Sequence, residues 1–270
     1  MSQLQGRPYR AVLTGAAGGI GQSLAFALAP QCSAMLLVGR EIGKLNALSQ
    51  VLRLRHPQMT VALVVADLAS DAGRAAVLQE SQNLKGGINL LINNAGLSDF
   101  HGFGGQPAKR IEALISTNLL SPMLLCQKFL PMLQAQEQAQ IINIGSVFGD
   151  IGYPGFAAYC ASKSGLRGFT QALRRELSDS PVRVRYFAPR ATRTSINDAA
   201  VNAMNDALKT PSDSPEVVAM AFMSFLGSRQ NERILGWPER LYVIINRLRH
   251  QITDKAIGQQ LATIKRYLPH

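Results

Sequence analysis

Along the first two-thirds of the chain, short apolar runs alternate with longer stretches whose apolar residues recur every three or four positions. The short runs are Arg10 to Thr14, Ala34 to Val38, Val61 to Ala66, Ile88 to Asn93, Gln140 to Gly145 and Val182 to Ala188. They are near-continuously apolar, as strands become when both faces of a parallel sheet are covered. Helical periodicity between them predicts helices over Ile20 to Ala29, Glu41 to Arg55, Asp71 to Leu84, Ile111 to Leu133 and Ala158 to Ser178. Strand and helix in alternation demand right-handed crossovers, which wind the strands into a doubly wound α/β sheet.

Beyond Gly227 the pattern changes. Ile234 and Leu235 form a short apolar piece before Gly236, Trp237 and Pro238. Leu241, Ile244, Ile245, Leu248 and Ile252 then recur at helical spacing, and Ile257, Leu261, Ile264 and Leu268 continue it, with Arg247, Arg249, His250, Lys265 and Arg266 on other parts of the wheel. One or two basic amphipathic helices are expected here. The organisation is therefore a single domain, with residues 1–227 as its catalytic body and 228–270 as an extension packed on or flanking it.

Composition narrows the class. A chain of 270 residues with 47% apolar content and 23 glycines suits one globular domain rather than a disordered segment. Cys32, Cys126 and Cys160 are odd in number, with no metal-like spacing, so reduced thiols and no metal site are expected. The opening Met-Ser-Gln-Leu-Gln-Gly-Arg-Pro has no apolar segment after its charge, and no uncharged apolar run reaches about 18 residues. A cytoplasmic protein is expected. The net charge of +11 is compatible with nucleic acid, an acidic membrane surface or phosphate-bearing ligands. Its cations form no dense block and few aromatics interleave with them, which argues against specific nucleic-acid binding.

The first strand leads into Thr14-Gly15-Ala16-Ala17-Gly18-Gly19-Ile20-Gly21, which opens the first helix. Glycines there let the backbone turn tightly and approach a pyrophosphate resting on the helix N-terminus. The second strand ends Val38-Gly39-Arg40, without the acid that commonly reads an NAD ribose. A guanidinium suits a 2′-phosphate, so NADP(H) is favoured over NAD(H). A solvated Arg40, with another residue reading the ribose, is the alternative. Tyr159 and Lys163 are four apart in a predicted helix and so share a face. A cation beside a phenol is expected to lower its pKa and fit it for proton exchange near neutral pH.

In this order, the chain resembles the short-chain dehydrogenase/reductase family from about Arg10 to Thr194. The resemblance is carried by Thr14-Gly-x-x-x-Gly-Ile-Gly21, Asp67-Leu68, Asn93-Asn94-Ala95-Gly96, Asn118, Ser146 and Tyr159-x-x-x-Lys163. It implies a Rossmann-like fold and hydride transfer between a nicotinamide dinucleotide and a carbonyl or alcohol. Tyr159 would be the general acid or base, Lys163 would lower its pKa and hold the nicotinamide ribose, and Ser146 would bind the reacting oxygen. Asn118 would hold a water linking Lys163 to solvent. Asp67 and Leu68 would border the adenine, and Asn94, Ala95 and Gly96 the ribose. Pro189, Thr192 and Thr194 would border the nicotinamide. The resemblance also implies a homodimer or homotetramer.

The chain departs from the family at two places. Arg190 stands where the family has glycine after the sixth strand. It is expected to select an anionic substrate, to impair the nicotinamide site, or to point into solvent. The basic tail replaces the family's usual ending, and is expected either to close the substrate side or an oligomer contact, or to attach peripherally to a membrane. The segment Ser195 to Thr210 would form a substrate lid, and with Phe148, Tyr153 and the Phe100 to Phe103 loop enclose an apolar pocket for a lipophilic carbonyl. A regulator or scaffold that kept the fold and lost catalysis is the competing reading.

Overall fold

A computed structural model describes residues 8–269 of the chain. Seven parallel strands make one sheet: β1 (Tyr9–Thr14), β2 (Cys32–Gly39), β3 (Thr60–Val65), β4 (Leu90–Asn93), β5 (Ala139–Ile144), β6 (Val182–Ala188) and β7 (Glu232–Ile234). Their order is β3-β2-β1-β4-β5-β6-β7, so the winding reverses between β1 and β4. This is a Rossmann-like single domain, as the alternation of apolar runs predicts. The opening residues that bear on a signal peptide lie mostly outside the described residues.

Helices cover both faces, and each face has its own apolar layer. On one, α1 (Gly19–Leu28), α2 (Ile42–Arg55) and α8 (Pro215–Leu226) bury Leu24, Leu28, Leu45, Leu48, Phe222 and Phe225 against the sheet. On the other, α3 (Asp71–Gln82), α5 (Ser121–Gln134) and α6 (Ala157–Glu176) enclose Val77, Leu125, Phe129 and Leu133. A buried Leu or Phe side chain contributes about 1.5–3 kcal/mol through removal from water, so these two layers dominate stability.

The long helix expected over Ile111 to Leu133 is not continuous. It divides into α4 (Ala108–Ile115), a π turn over Ser116–Leu120, and α5. Pro122 supplies no N–H and crowds the carbonyl four residues back, so the turn widens and the Ser121 N–H reaches the Ser116 carbonyl. The Ser121 hydroxyl donates to Leu68 O at 2.6 Å and pins this turn to the loop after β3. Two further helices lie where no periodic pattern predicts them: α7 (Ala199–Ala207), inside the proposed lid, and α8. The run Pro-Glu-Val-Val-Ala-Met-Ala-Phe-Met-Ser-Phe-Leu of α8 is apolar nearly all round, so no single stripe announces it.

Arg185 on β6 is wholly buried, away from the water that usually hydrates a guanidinium. Its guanidinium donates instead to the carbonyls of Phe225, Leu226, Ser228 and Gln230 and to the Gln140 side chain. It thereby satisfies orphan carbonyls at the C-terminal end of α8 and packs 3.9 Å above the Phe225 ring. Burial pulls its pKa below the usual arginine range, with Arg183 adding to the effect. Arg185→Lys keeps the charge and loses the fork. The expected result is a loss of about 2–4 kcal/mol in urea unfolding. Unchanged stability would remove Arg185 as the anchor of α8.

The tail completes the molecule with α9 (Glu239–Leu248) and α10 (His250–Tyr267). Asp150 and Glu232 share Arg167 and Arg247, with contacts from 2.7 to 3.3 Å, and so tie α6, β7 and α9 together. Ile264 of α10 is fully buried with Phe100 and Phe156, and Leu268 packs on the same cluster.

Candidate active site

The carboxyl ends of β1 and β4 are laced together. Thr14 Oγ1 accepts from the N–H groups of Asn94 (2.9 Å) and Ala95 (3.0 Å), and the Asn94 amide donates to the carbonyls of Thr14 and Gly15. Gly15 has φ +64°, and a Cβ there would lie 2.8 Å from the Ala95 Cα. A Cβ on Gly21 would overlap the Gly15 carbonyl. Both positions therefore demand glycine. Ser70, Asp198 and Ser214 cap α3, α7 and α8 with their side chains, whereas Gly18 gives α1 no such cap. The first turn of α1 keeps its N–H groups for an anion.

A cavity of about 400 Å³ opens over this turn, bordered by Gly15, Gly19, Ile20, Gly21, Arg40, Asp67, Leu68, Asn94, Ala95 and Gly96. Lys44 and Glu41 also border it, paired to each other at 2.8 Å. Thr14 lies beneath the turn as its fastener and does not line the cavity. Leu68 offers its backbone carbonyl to Arg74 and Ser121, which fixes the loop holding Asp67.

A second cavity, of about 610 Å³, shares Ile20, Asn94, Gly96 and Thr194 with the first. Ser146, Tyr159 and Lys163 meet on its wall with Pro189 and Thr192. The Ser146 hydroxyl lies close enough to the Tyr159 phenol to favour its ionised form. Lys163 Nζ donates to Ile144 O at 3.1 Å and stands 5.8 Å from the centre of the Tyr159 ring. Asn118, in the π turn, accepts from Leu97 N (2.8 Å) and donates to Leu97 O (2.9 Å) and to the Ser162 hydroxyl (3.1 Å). Ser162 in turn donates to the Tyr159 carbonyl at 2.7 Å. Ser162 carries no sequence signal of its own. Its place three residues after Tyr159, on the same helical face, is the only pointer to it.

The electrostatics differ from the expected lowered tyrosine. Burial pushes the Tyr159 phenol up to about 12, and the neighbouring Ser146 hydroxyl only partly opposes it. Burial likewise pulls Lys163 down to about 8. Desolvation outweighs the charge of the neighbouring ammonium, which is itself held back from Tyr159 by its bond to Ile144. At neutral pH the pair is a protonated phenol beside a lysine poised near its own titration.

Aromatic rings line the cavity beside these groups. Phe148 stacks on Tyr153 at 5.0 Å, and Phe148 and Phe156 meet the Tyr159 ring edge-on at 6.4 and 6.1 Å. The expected Phe100 to Phe103 wall is corrected: Phe100 is buried behind Phe156, and Phe103 is exposed to solvent. The roof comes from α7 (Val201, Met204), α9 (Tyr242, Ile245) and α10 (Ile252, Ile257, Gln260). Thr194 Oγ1 is buried on this wall without a hydrogen-bond partner, and can serve a polar group entering between the two cavities.

Arg190 borders the cavity but is bound by two carboxylates. It grips Asp213 with two hydrogen bonds (2.7 and 3.0 Å) and reaches Glu239 of α9 at 3.3 Å. These acids hold it charged, the Asp213 bonds most strongly. Neither solvent exposure nor a free cation for an anionic substrate fits this geometry. Its backbone is also unstrained, because Lys209 is the only non-glycine with positive φ among the described residues. Arg190 joins the segment after β6, the segment before α8 and the tail.

The chain matches the family model described as short chain dehydrogenase over residues 10–205. Nodulation protein G of Rhizobium sp. (strain N33) is 30% identical over 240 residues, covering 87% of this chain and 95% of that protein. The NADP-dependent 3-hydroxy acid dehydrogenase of Schizosaccharomyces pombe is 29% identical over 238 residues, covering 82% and 88%. Among solved structures, a short-chain dehydrogenase from Sphingobium yanoikuyae in complex with NADPH superposes with a TM-score of 0.77 at 30% identity, covering 91% of this chain and 96% of that one.

Arg190→Gly should release the clasp and leave Asp213 and Glu239 facing each other unpaired. A loss of about 2–3 kcal/mol in thermal unfolding is expected. Limited proteolysis between residues 195 and 212 should also accelerate, and Arg190→Lys should restore little, lacking the fork. Wild-type behaviour in both assays would show that the clasp holds nothing.

Proposed function

Because the chain belongs to the short-chain dehydrogenase family, we propose that it is an NADP(H)-dependent oxidoreductase interconverting a lipophilic ketone or aldehyde and its alcohol. The observation that carries this is the meeting of Tyr159, Ser146 and Lys163 on the wall of a largely apolar cavity adjoining the glycine turn. The donor set fits a dinucleotide. The uncapped α1 suits its pyrophosphate, Asp67 its adenine, Asn94 to Gly96 its ribose, and the orphaned Thr194 hydroxyl, with Pro189 and Thr192, its nicotinamide amide. When bound, the dinucleotide supplies the hydride in reduction and takes it in oxidation.

In reduction, the Tyr159 hydroxyl gives its proton to the substrate oxygen, while the Ser146 hydroxyl hydrogen-bonds that oxygen as charge builds on it. A pKa of about 12 keeps Tyr159 protonated until the reaction calls for the proton. Lys163, cationic below about pH 8, stabilises the phenolate left behind and holds the ribose. Asn118 completes the set, for a water that relays protons between Lys163 and solvent. The aromatic wall of Phe148, Tyr153 and Phe156 supports a lipophilic substrate.

Arg40 supports NADP(H), with Lys44 as a second cation on the same cavity. Glu41, adjacent to Arg40, favours the second reading, NAD(H), since an acid there suits a free ribose hydroxyl. The unpaired thiols of Cys32, Cys126 and Cys160 support a reducing, cytoplasmic setting. Among the described residues, no helix is long and apolar enough to cross a membrane. A homodimer or homotetramer belongs to the same proposal, by family membership.

Oxidation of NADPH across ketones and aldehydes graded by chain length is the direct assay, with kcat/KM expected to rise with apolar length. Tyr159→Phe should lower kcat by at least about a thousandfold while dinucleotide binding stays within about threefold. A variant that keeps wild-type rates would overturn the mechanism, and dinucleotide binding without any turnover would favour a regulator. For reduction, kcat/KM should fall as pH rises through about 8, because Lys163 then loses its proton, and Lys163→Met should lack that limb. Arg40→Ala should cut the NADPH-to-NADH preference by about tenfold or more. No change would move the choice to Glu41.

A further inference from the structure

The tail helix α9 faces the wrong way for an ordinary amphipathic helix. Its inner side is held by polar groups: Asn246 donates to Asp150 O at 2.7 Å, and Arg247 bonds Asp150 and Glu232. Val243 is its one buried apolar residue. Leu241, Ile244 and Leu248 lie within about 60° of arc on its outer side. All three are exposed, Leu248 at 78%, and Trp237 just before the helix is 72% exposed. Ile252, across the junction to α10, extends the patch. Large apolar side chains clustered on an outer surface mark a contact.

We infer that this face docks on an anionic lipid surface and opens the larger cavity toward it, a conclusion that rests on the reductase reading with a lipophilic substrate. Two observations select that occupant. Arg240, Arg249, His250 and Lys255 stand exposed on α9 and the start of α10, against one exposed acid, Asp254, on a chain whose net charge is +11. A second copy would bring like charges together, whereas anionic headgroups complement them. Tyr242 and Ile252 are also both exposed and part of the cavity wall, so the apolar face runs directly into the site. A carbonyl dissolved in the bilayer then enters without crossing water.

Trp237 is the only tryptophan in the chain and is exposed just before α9, so its emission reports docking without a label. Full-length protein mixed with phosphatidylcholine vesicles carrying about 30% phosphatidylglycerol should show a blue shift and co-sediment. Pure phosphatidylcholine should bind at least about tenfold more weakly, and salt should weaken binding. Ile244→Glu with Leu248→Glu should abolish both signals. Arg240→Glu with Arg249→Glu should erase the preference for the anionic vesicle. Neither pair belongs to the catalytic set, so rates on a short, water-soluble carbonyl should be unchanged.

Wild-type protein that neither shifts nor sediments overturns the docking, as do variants that bind like wild type. So does a blue shift produced by concentrating the protein alone, with a change of mass on size exclusion that the apolar variants lose; the face is then a contact between copies. Absence of turnover with vesicle binding intact defeats the reductase reading instead.

Discussion

Every strand of the sheet runs in the same direction, and this single constraint assembles the site. Parallel strands send all their outgoing loops to one edge, and the reversal of winding between β1 and β4 opens a crevice there. The lacing of Thr14 with Asn94 and Ala95 sets the width of that crevice. Gly15 and Gly21 allow the backbones to close to this distance, and α1, which carries no side-chain cap, begins at the crevice with the partial positive charge of a helix N-terminus. Ser146 arrives from the turn after β5, and Tyr159 and Lys163 from α6, the next long helix, and the three meet at this edge.

Burial then governs the chemistry more than proximity does. A cation four residues along a helix suggests an acidified phenol, and in isolation it would produce one. Within the fold the phenol is raised and the ammonium lowered, since both lose water and Lys163 spends a hydrogen bond on Ile144. In the proposed mechanism, a protonated phenol suits proton donation to a nascent alkoxide, and the nearby ammonium gains most when the phenolate appears.

The sheet was legible in the sequence because covered parallel strands are apolar at every position, a signal that survives small errors of boundary. The crevice residues were legible because they sit at strand ends, where spacing fixes their location. The helix α8 was not, since a helix apolar all round has no stripe to detect. Nor was the state of Arg190, whose partners lie 23 and 49 residues away. Phe100 and Phe103 were misassigned for a related reason: residues three apart on a loop carry no periodicity that separates a buried ring from an exposed one. Direction and pairing across long separations are properties of the fold, and the sequence reveals them only where geometry is regular.

The Arg190 clasp and the outward face of α9 belong to one arrangement. Glu239, which receives Arg190, begins the helix whose far end carries Leu248, and Arg247 fastens that helix to Asp150 and Glu232. Ionic contacts thus secure both ends of α9 from beneath, so that Val243 is its one buried apolar residue, Tyr242 and Ile245 border the cavity, and Leu241, Ile244 and Leu248 face outward. A glycine at position 190 would leave Glu239 and Asp213 without their shared cation and the roof of the cavity less firmly held. Arg190 therefore exchanges backbone freedom beside the larger cavity for a fixed tail, and it is the fixed tail that keeps Tyr242 and Ile252 at the boundary between cavity and surface.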